Sequence, residues 1–235
     1  MKFKRSVVSA ALLGAAAFSG SAFAGATANV GAFSDYMFRG VTQSSGAAVQ
    51  GGLDYASDSG FYVGMWGSNL SFAGAGSGTE VDVYGGFAGK LGESVGFDLG
   101  ALYYWYSEED ETAAPGAESL NTIELYAGLS FGPVGAKYYF TNEYFGSDES
   151  ASYLNFTLAL PLSETVNLTA NVGLNDGDGV EAIFGDSYTD YSLGLAKSVE
   201  GGYTATFQFI ATDLDGGGVD DDPKFVIGLK KVFDL

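Results

Sequence analysis

The side chains that could do chemistry in this chain are mostly carboxylates. Two acidic pairs, Glu80 with Asp82 and Glu108 with Glu109, have the composition that glycoside hydrolysis needs, because one carboxyl group can act as acid and the other as nucleophile or base. Neighbouring acids on strands or in loops are more often merely solvated, however, and the sequence contains no His. Without His, the usual general base of serine hydrolases and the imidazole metal ligands are missing. The residues therefore do not predict an enzyme.

Metal and cofactor sites are equally difficult to build from these residues. The chain has no Cys, which leaves out disulfides, thiol redox chemistry and thiolate ligands. Segments 176–179 and 213–216, with 220–222, are similar to calcium-binding loops, but neither completes the spaced acidic pattern with its distal Glu. We expect hydrated acidic loops without metal or cofactor, and weak divalent bridging to lipopolysaccharide is the open alternative.

Apolar and polar residues alternate along most of the chain. Between residues 166 and 175, Val, Leu and Ala occupy the even positions, and Asn, Thr and Gly occupy the odd ones. A period of two predicts a β-strand. Each such alternating segment, which we call a ladder, is about ten residues long, and a tilted strand of that length crosses a bilayer. After residue 24 there is no apolar run of about eighteen residues, so the sequence predicts no transmembrane helix.

The ladders predict an all-β fold, a transmembrane antiparallel up-and-down β-barrel of about twelve strands. The strands are placed near 26–39, 47–58, 60–70, 79–89, 94–106, 120–131, 134–142, 151–160, 165–175, 188–198, 202–213 and 223–233. Short connections alternate with long ones such as 107–119, 142–150, 176–187 and 214–222. Short periplasmic turns and long external loops are typical of outer-membrane barrels.

A soluble barrel or a β-sandwich would also show alternation. The second face of the ladders distinguishes the alternatives, because it consists of Gly, Asn, Thr, Tyr and a few acids, and charged residues make up only 17% of the chain. Tyr and Trp also crowd a strand end at 103–106, where an interfacial aromatic girdle would lie. The pattern favours a polar lumen inside a membrane-spanning barrel.

Residues 1–24 have the pattern of an export signal. Lys2, Lys4 and Arg5 precede an apolar run at 7–18, and small residues then lead to an A-x-A site ending at Ala24. We expect a cleavable signal peptide at 1–24 and a barrel at 25–235 in the outer membrane of a Gram-negative bacterium. Loss of the three cations takes the net charge from −19 to −22, which argues against nucleic acid as a partner.

The inward positions of the predicted strands gather charged side chains at one level of the upper lumen. They are Asp35, Arg39, Glu80, Asp82, Glu124, Asp190 and Lys224. Pairing of the first strand with the last would bring Arg39 near Lys224. A charged level of this kind is either a selectivity zone that favours cations or neutral solutes, or a set of ion pairs that fills a narrow barrel. Both alternatives stay open at this point.

Three segments together resemble the TorF-type porin family. They read SDYMFRGVTQ at 34–43, QGGLDY at 50–55 and SGFYVG at 59–64. Further similar pieces lie at 66–69, 80–84, 103–106, 137–140 and 188–191. The resemblance implies a bacterial outer-membrane barrel that passes small solutes, but it implies no particular substrate.

From these patterns we expect a porin-like channel for passive diffusion of small hydrophilic solutes, neutral or cationic. The alternative is a non-conducting structural or adhesion-type barrel whose loops bind surface partners or lipopolysaccharide. Inward Tyr84, Tyr104, Tyr126 and Tyr139 distinguish the two, since they either line the bore or close it. The expected partners are outer-membrane lipids, lipopolysaccharide and the barrel-assembly machinery during biogenesis.

Overall fold

The computed structural model describes residues 24–44, 46–72, 76–107, 119–215 and 222–235. It also describes two dipeptides, 11–12 and 15–16, which pair with each other as short antiparallel strands. The predicted signal peptide at 1–24 thus lies almost entirely outside the described residues. The acidic pair Glu108–Glu109 and the acids at 220–221 lie outside them as well.

Antiparallel strands pair in chain order and close into one barrel. The barrel strands are β1 (Gly25–Phe33), β2 (Ala48–Ala56), β3 (Phe61–Phe72), β4 (Gly76–Leu91), β5 (Val95–Tyr106), β6 (Thr122–Phe131), β7 (Val134–Thr141), β8 (Ala151–Pro161), β9 (Val166–Asp176), β10 (Tyr188–Val199), β11 (Tyr203–Thr212) and β12 (Lys224–Asp234). Strand β12 returns to pair with β1, with Gly228 opposite Phe33. The predicted twelve-stranded up-and-down barrel is confirmed.

The barrel carries its apolar side chains on the outside. On β6, Leu125 is 59% exposed whereas its neighbour Glu124 is 1% exposed, and the same alternation runs along the strand. An exposed apolar belt that surrounds a polar interior is the reverse of a soluble barrel, and it is the surface that lipid chains cover. The alternation therefore matches a membrane-spanning barrel.

Strand β1 ends earlier than the alternation predicts. It stops at Phe33 instead of continuing to Arg39, and residues 34–44 and 46–47, which we call the inward loop, turn into the barrel. Within this loop Met37–Phe38 pairs with Val41–Thr42 around a turn. Arg39 and Gly40 both have positive φ angles, 46° and 85°.

The other strands lie within three residues of the predicted bounds at either end. A short helix, α1 (Asp178–Phe184), forms in the connection between β9 and β10, where the sequence predicted a loop. Its Val180 is buried against the long-loop end of the barrel. Within the part of the chain that the structure describes, no helix has the length and apolarity needed to cross a membrane.

Candidate functional site

An ion pair joins the inward loop to the barrel wall. The guanidinium of Arg39 donates to both carboxylate oxygens of Glu124 on β6, each across 2.7 Å. The two side chains are only 5% and 2% exposed. Tyr104 on β5 donates to the same carboxylate across 3.0 Å. A buried pair of this kind mainly orients the groups that carry it, because desolvation offsets much of the Coulombic attraction.

Aromatic rings surround the Arg39 guanidinium. Its central carbon lies 4.8 Å from the ring centre of Phe38 and 4.2 Å from that of Tyr153. Burial by itself lowers the pKa of Arg39, but the Glu124 carboxylate more than offsets this effect and keeps the pKa above its ordinary value. The guanidinium is therefore a permanent charge held between rings and a carboxylate.

A second contact ties the inward loop to another strand of the wall. Tyr36 donates its hydroxyl to Glu80 on β4 across 3.1 Å. Burial, together with the negative charge of Glu80, raises the pKa of Tyr36, so the phenol stays protonated and remains a donor. Asp35 acts inside the loop, where it accepts hydrogen bonds from Thr42 and Ser44 across 2.7 and 2.9 Å. Three of the predicted acids thus hold the loop in place.

The remaining predicted residues, Asp190, Asp82 and Lys224, lie on β10, β4 and β12. Asp190 on β10 accepts hydrogen bonds from Asn175 and Tyr153 across 3.0 and 3.3 Å. Asp82 is 9% exposed, and its Oδ1 atom is buried without a hydrogen-bond partner. Lys224 lies at the start of β12, opposite Ile210.

Strand closure suggested Lys224 as a neighbour of Arg39, and the structure shows Glu124 as the partner of the Arg39 guanidinium. Its partner Glu124 is on β6, which is six strands away from β12 around the barrel. The inward loop explains this difference, because it leaves β1 before residue 39 and crosses the lumen.

A second charged level lies nearer the short turns, and the sequence analysis did not single it out. Lys137 on β7 pairs with Asp98 on β5 across 2.8 Å, and Tyr62 donates to the same Asp98 across 2.6 Å. The Lys137 ammonium also lies 3.8 Å from the ring centre of Tyr126. The signal was present, since Asp98 lies between outward Phe97 and Leu99 in a recognised ladder and must point inward.

The inward tyrosines divide into two groups. The ring of Tyr84 lies against Gly64, and the hydroxyl of Tyr126 lies over Gly100, so that a side chain at either glycine would collide with a ring. These rings lie along the wall because the glycines leave room for them. Tyr104 and Tyr139 instead contact the inward loop, through Phe38 and Arg39 respectively. Tyr84 and Tyr126 therefore line the bore, whereas Tyr104 and Tyr139 pack where the loop crosses it.

A cavity of about 950 Å³ occupies the lumen. It extends from the inward loop at Met37 and Arg39 to the short turns at Ser57 and Gly132. Polar and charged side chains from most strands line it, among them Asp54, Asp82, Asp98, Lys137, Asn155, Asn171, Ser192 and Gln208. The space offers a hydrophilic path through the part of the barrel below the loop.

A hydrophobic cluster covers the inward loop from the long-loop end. It consists of Val41, Tyr144, Ala151, Val180 and Tyr188. Tyr144 is 1% exposed, and burial raises its pKa to about 12. The cluster therefore packs Val41 of the inward loop against residues of the long connections and of the wall.

Among the described residues, no three acidic side chains converge as a metal ion would require. The arrangement can instead sort solutes by charge and by hydrogen bonding. Its charged groups include two paired cations, Arg39 and Lys137, and further carboxylates such as Glu80 and Asp82.

The profile of one protein family matches this chain over residues 16–231, and that family is described as "Bacterial protein of unknown function (Gcw_chp)". No curated protein sequence matches the chain.

Solved outer-membrane channels share the architecture. The KdgM porin has a TM-score of 0.60 at 7% identity, with 88% of this chain and 99% of that chain covered. The NanC porin has a TM-score of 0.61 at 13% identity, with the same coverage. An outer-membrane channel from Pseudomonas putida F1 has a TM-score of 0.55 at 14% identity, covering 92% of this chain and 97% of that one. KdgM has also been solved in complex with disordered oligogalacturonate. These likenesses show that the chain has the porin fold.

Proposed function

This chain belongs to the bacterial family of unknown function Gcw_chp, and from that premise we propose that it is an outer-membrane channel for passive diffusion of small hydrophilic solutes, neutral or cationic. The observation that carries the proposal is the cavity of about 950 Å³, lined in part by polar and charged side chains, inside a closed barrel with an apolar exterior. The resemblance of segment 34–43 to the TorF-type porin family supports the same function. Export by a signal peptide at 1–24, leaving a barrel at 25–235, is part of the proposal.

The charge of the lumen supports the preference for neutral or cationic solutes. Arg39 and Lys137 are each bound by a carboxylate, while Glu80 and Asp82 form no ion pair among the described residues. Oligogalacturonate, the ligand in the KdgM complex, is a polyanion. A polyanion would meet an excess of negative charge here, so we propose a different solute class for this chain. Asp35, Arg39, Glu80, Asp82, Glu124, Asp190 and Lys224 are proposed to set this selectivity.

The test is single-channel recording of the purified barrel in a planar bilayer with a salt gradient across it. We expect discrete conductance steps and a reversal potential of the sign that denotes cation preference. Arg39→Ala should enlarge the steps, because its removal frees the inward loop from Glu124. Tyr138→Phe, on the lipid-facing side of β7, is the matched control and should leave the steps unchanged. A reversal potential that denotes anion preference would overturn the proposed solute class.

One observation favours the second candidate, a non-conducting structural or adhesion-type barrel. The inward loop lies inside the bore, where Arg39 binds Glu124 and Val41 packs in the cluster around Tyr144, so it narrows the lumen. In that case the long connections would bind surface partners or lipopolysaccharide. Silence in the bilayer, from protein shown to be folded and inserted both as wild type and as Arg39→Ala, would select this candidate. Outer-membrane lipids and the barrel-assembly machinery are proposed as partners in either case.

A further inference from the structure

Asp82 on β4 is a lumen carboxyl group whose side chain is hydrogen-bonded to that of its neighbour Glu80 and which has no cationic partner among the described residues. Its Oδ1 atom is buried without a hydrogen bond, and the residue is 9% exposed. Neither ion pair of the described residues includes Asp82, because Arg39 is bound to Glu124 and Lys137 to Asp98. A buried carboxylate oxygen without a donor is costly, so such atoms usually take a proton, a water molecule or a ligand.

Aromatic side chains lie around this carboxylate. Asp82 is directly opposite Trp66 on β3 and directly opposite Tyr104 on β5. Side chains paired in this way have Cβ atoms about 4.5–5.5 Å apart. Tyr84 follows two residues later on the same strand and therefore points to the same side. Trp66 faces the lumen, since its ring packs against Tyr36 at 5.3 Å.

A carboxylate flanked by aromatic rings is suited to one class of ligand. An organic ammonium group gains from the negative ring faces and from the carboxylate charge together, and Trp is the strongest of the aromatic partners. A divalent metal ion would need several converging oxygen ligands, which the described residues do not supply. We propose that Asp82, Trp66, Tyr84 and Tyr104 form a binding subsite for small organic ammonium cations within the lumen.

The subsite can be reached while the inward loop is in place. All four residues line the cavity of about 950 Å³, which continues to the short turns at Ser57 and Gly132. A solute can thus enter from that end and reach Asp82 without passing the Arg39–Glu124 pair. The subsite deepens the proposed function and rests on it, since it names the solute class that the channel would select.

The chain provides its own optical probe for this subsite. It has only two Trp residues, and the second, Trp105, is 42% exposed on the outer surface. In a Trp105→Phe background, fluorescence reports on Trp66 alone. The folded barrel in octyl glucoside is titrated with choline chloride, with sodium chloride at equal ionic strength, and with 3,3-dimethylbutan-1-ol, the neutral analogue of choline.

We expect saturable quenching by choline and much weaker effects of sodium chloride and of the neutral alcohol. Asp82→Asn should weaken choline binding about tenfold or more, because it removes the charged partner. Glu164→Gln is the control, since Glu164 is an exposed acid in the short turn between β8 and β9 and does not line the cavity, and it should leave binding unchanged.

Equal quenching by choline and its neutral analogue would overturn the subsite, and this comparison does not depend on any Asp82 variant folding. Unchanged choline affinity in folded Asp82→Asn would overturn it as well. The bilayer experiment is a separate readout. Conductance steps without choline binding would refute the proposed subsite but not the proposed channel. Saturable choline binding in a barrel that never conducts would refute the channel but not the subsite.

Discussion

Tyr188 on β10 donates its hydroxyl to the backbone carbonyl of Arg39 across 3.1 Å. Arg39 also donates from its guanidinium to Glu124 on β6. One residue of the inward loop is therefore bound to two separate parts of the barrel wall. Tyr36 adds the third attachment, at Glu80 on β4. The loop is therefore fastened on several sides of the bore and behaves as part of the wall.

The Arg39–Glu124 pair predicts a strong non-additive effect on stability. Arg39→Ala leaves a buried carboxylate without its counter-charge, which should lower the free energy of unfolding by about 3–5 kcal/mol. The double variant Arg39→Ala/Glu124→Gln should recover part of that loss, because the uncompensated charge is gone. Urea unfolding in lipid vesicles, followed by Trp fluorescence, measures both values. The single variant Glu124→Gln completes the cycle. If the loss of unfolding free energy in the double variant equals the sum of the losses in the two single variants, the pair is not coupled as described.

Gly64 predicts an effect on bore size. A methyl group at this position would collide with the Tyr84 ring and the Asp54 carboxylate, so Gly64→Ala should push that ring into the lumen and lower single-channel conductance. The double variant Gly64→Ala/Tyr84→Ala should restore conductance to at least the wild-type value. Conductance that stays low in the double variant would mean that the loss has another origin than the ring.

The Lys137–Asp98 pair predicts opposite changes in ion selectivity. Lys137→Met leaves Asp98 uncompensated and should shift the reversal potential toward greater cation preference, whereas Asp98→Asn should shift it toward anions. Measurements in the same salt gradient compare the two variants directly. A shift of the same sign in both would show that this level does not control permeation.

The A-x-A pattern ending at Ala24 predicts the mature N-terminus. Intact mass spectrometry of the protein extracted from outer membranes should give the mass of residues 25–235. Ala24→Arg should block cleavage and leave the longer form, whereas Ala26→Ser, outside the site, should be processed normally. A wild-type mass that includes residues 1–24 would contradict the predicted signal peptide.

The barrel could be predicted from the sequence because burial and residue type repeat every two residues along its strands. On β6 and β9 every second residue contacts lipid, so burial and residue type alternate in register and strand positions can be read within a few residues. The same parity placed Glu80, Asp82, Glu124 and Asp190 inside the barrel, and the structure has all of them buried.

The inward loop could not be predicted in the same way. Its path depends on the positive φ angles of Arg39 and Gly40 and on contacts to distant residues such as Glu124, and neither leaves a periodic signal. The pairing of Arg39 with Glu124 was not predicted for this reason. Helix α1 was missed because its burial depends on Val180 meeting Tyr144, a long-range contact of a seven-residue segment.

The pairing of β12 with β1 also determines how exposed the chain is before it is complete. In the finished barrel every strand has two neighbours, whereas a chain that lacks β12 would present unpaired backbone groups on β1 and β11. Open edges of this kind are templates for pairing with other chains. The barrel is protected from aggregation only after the final strand has been made and has paired with β1. Truncation of residues 224–234 would leave both edges open.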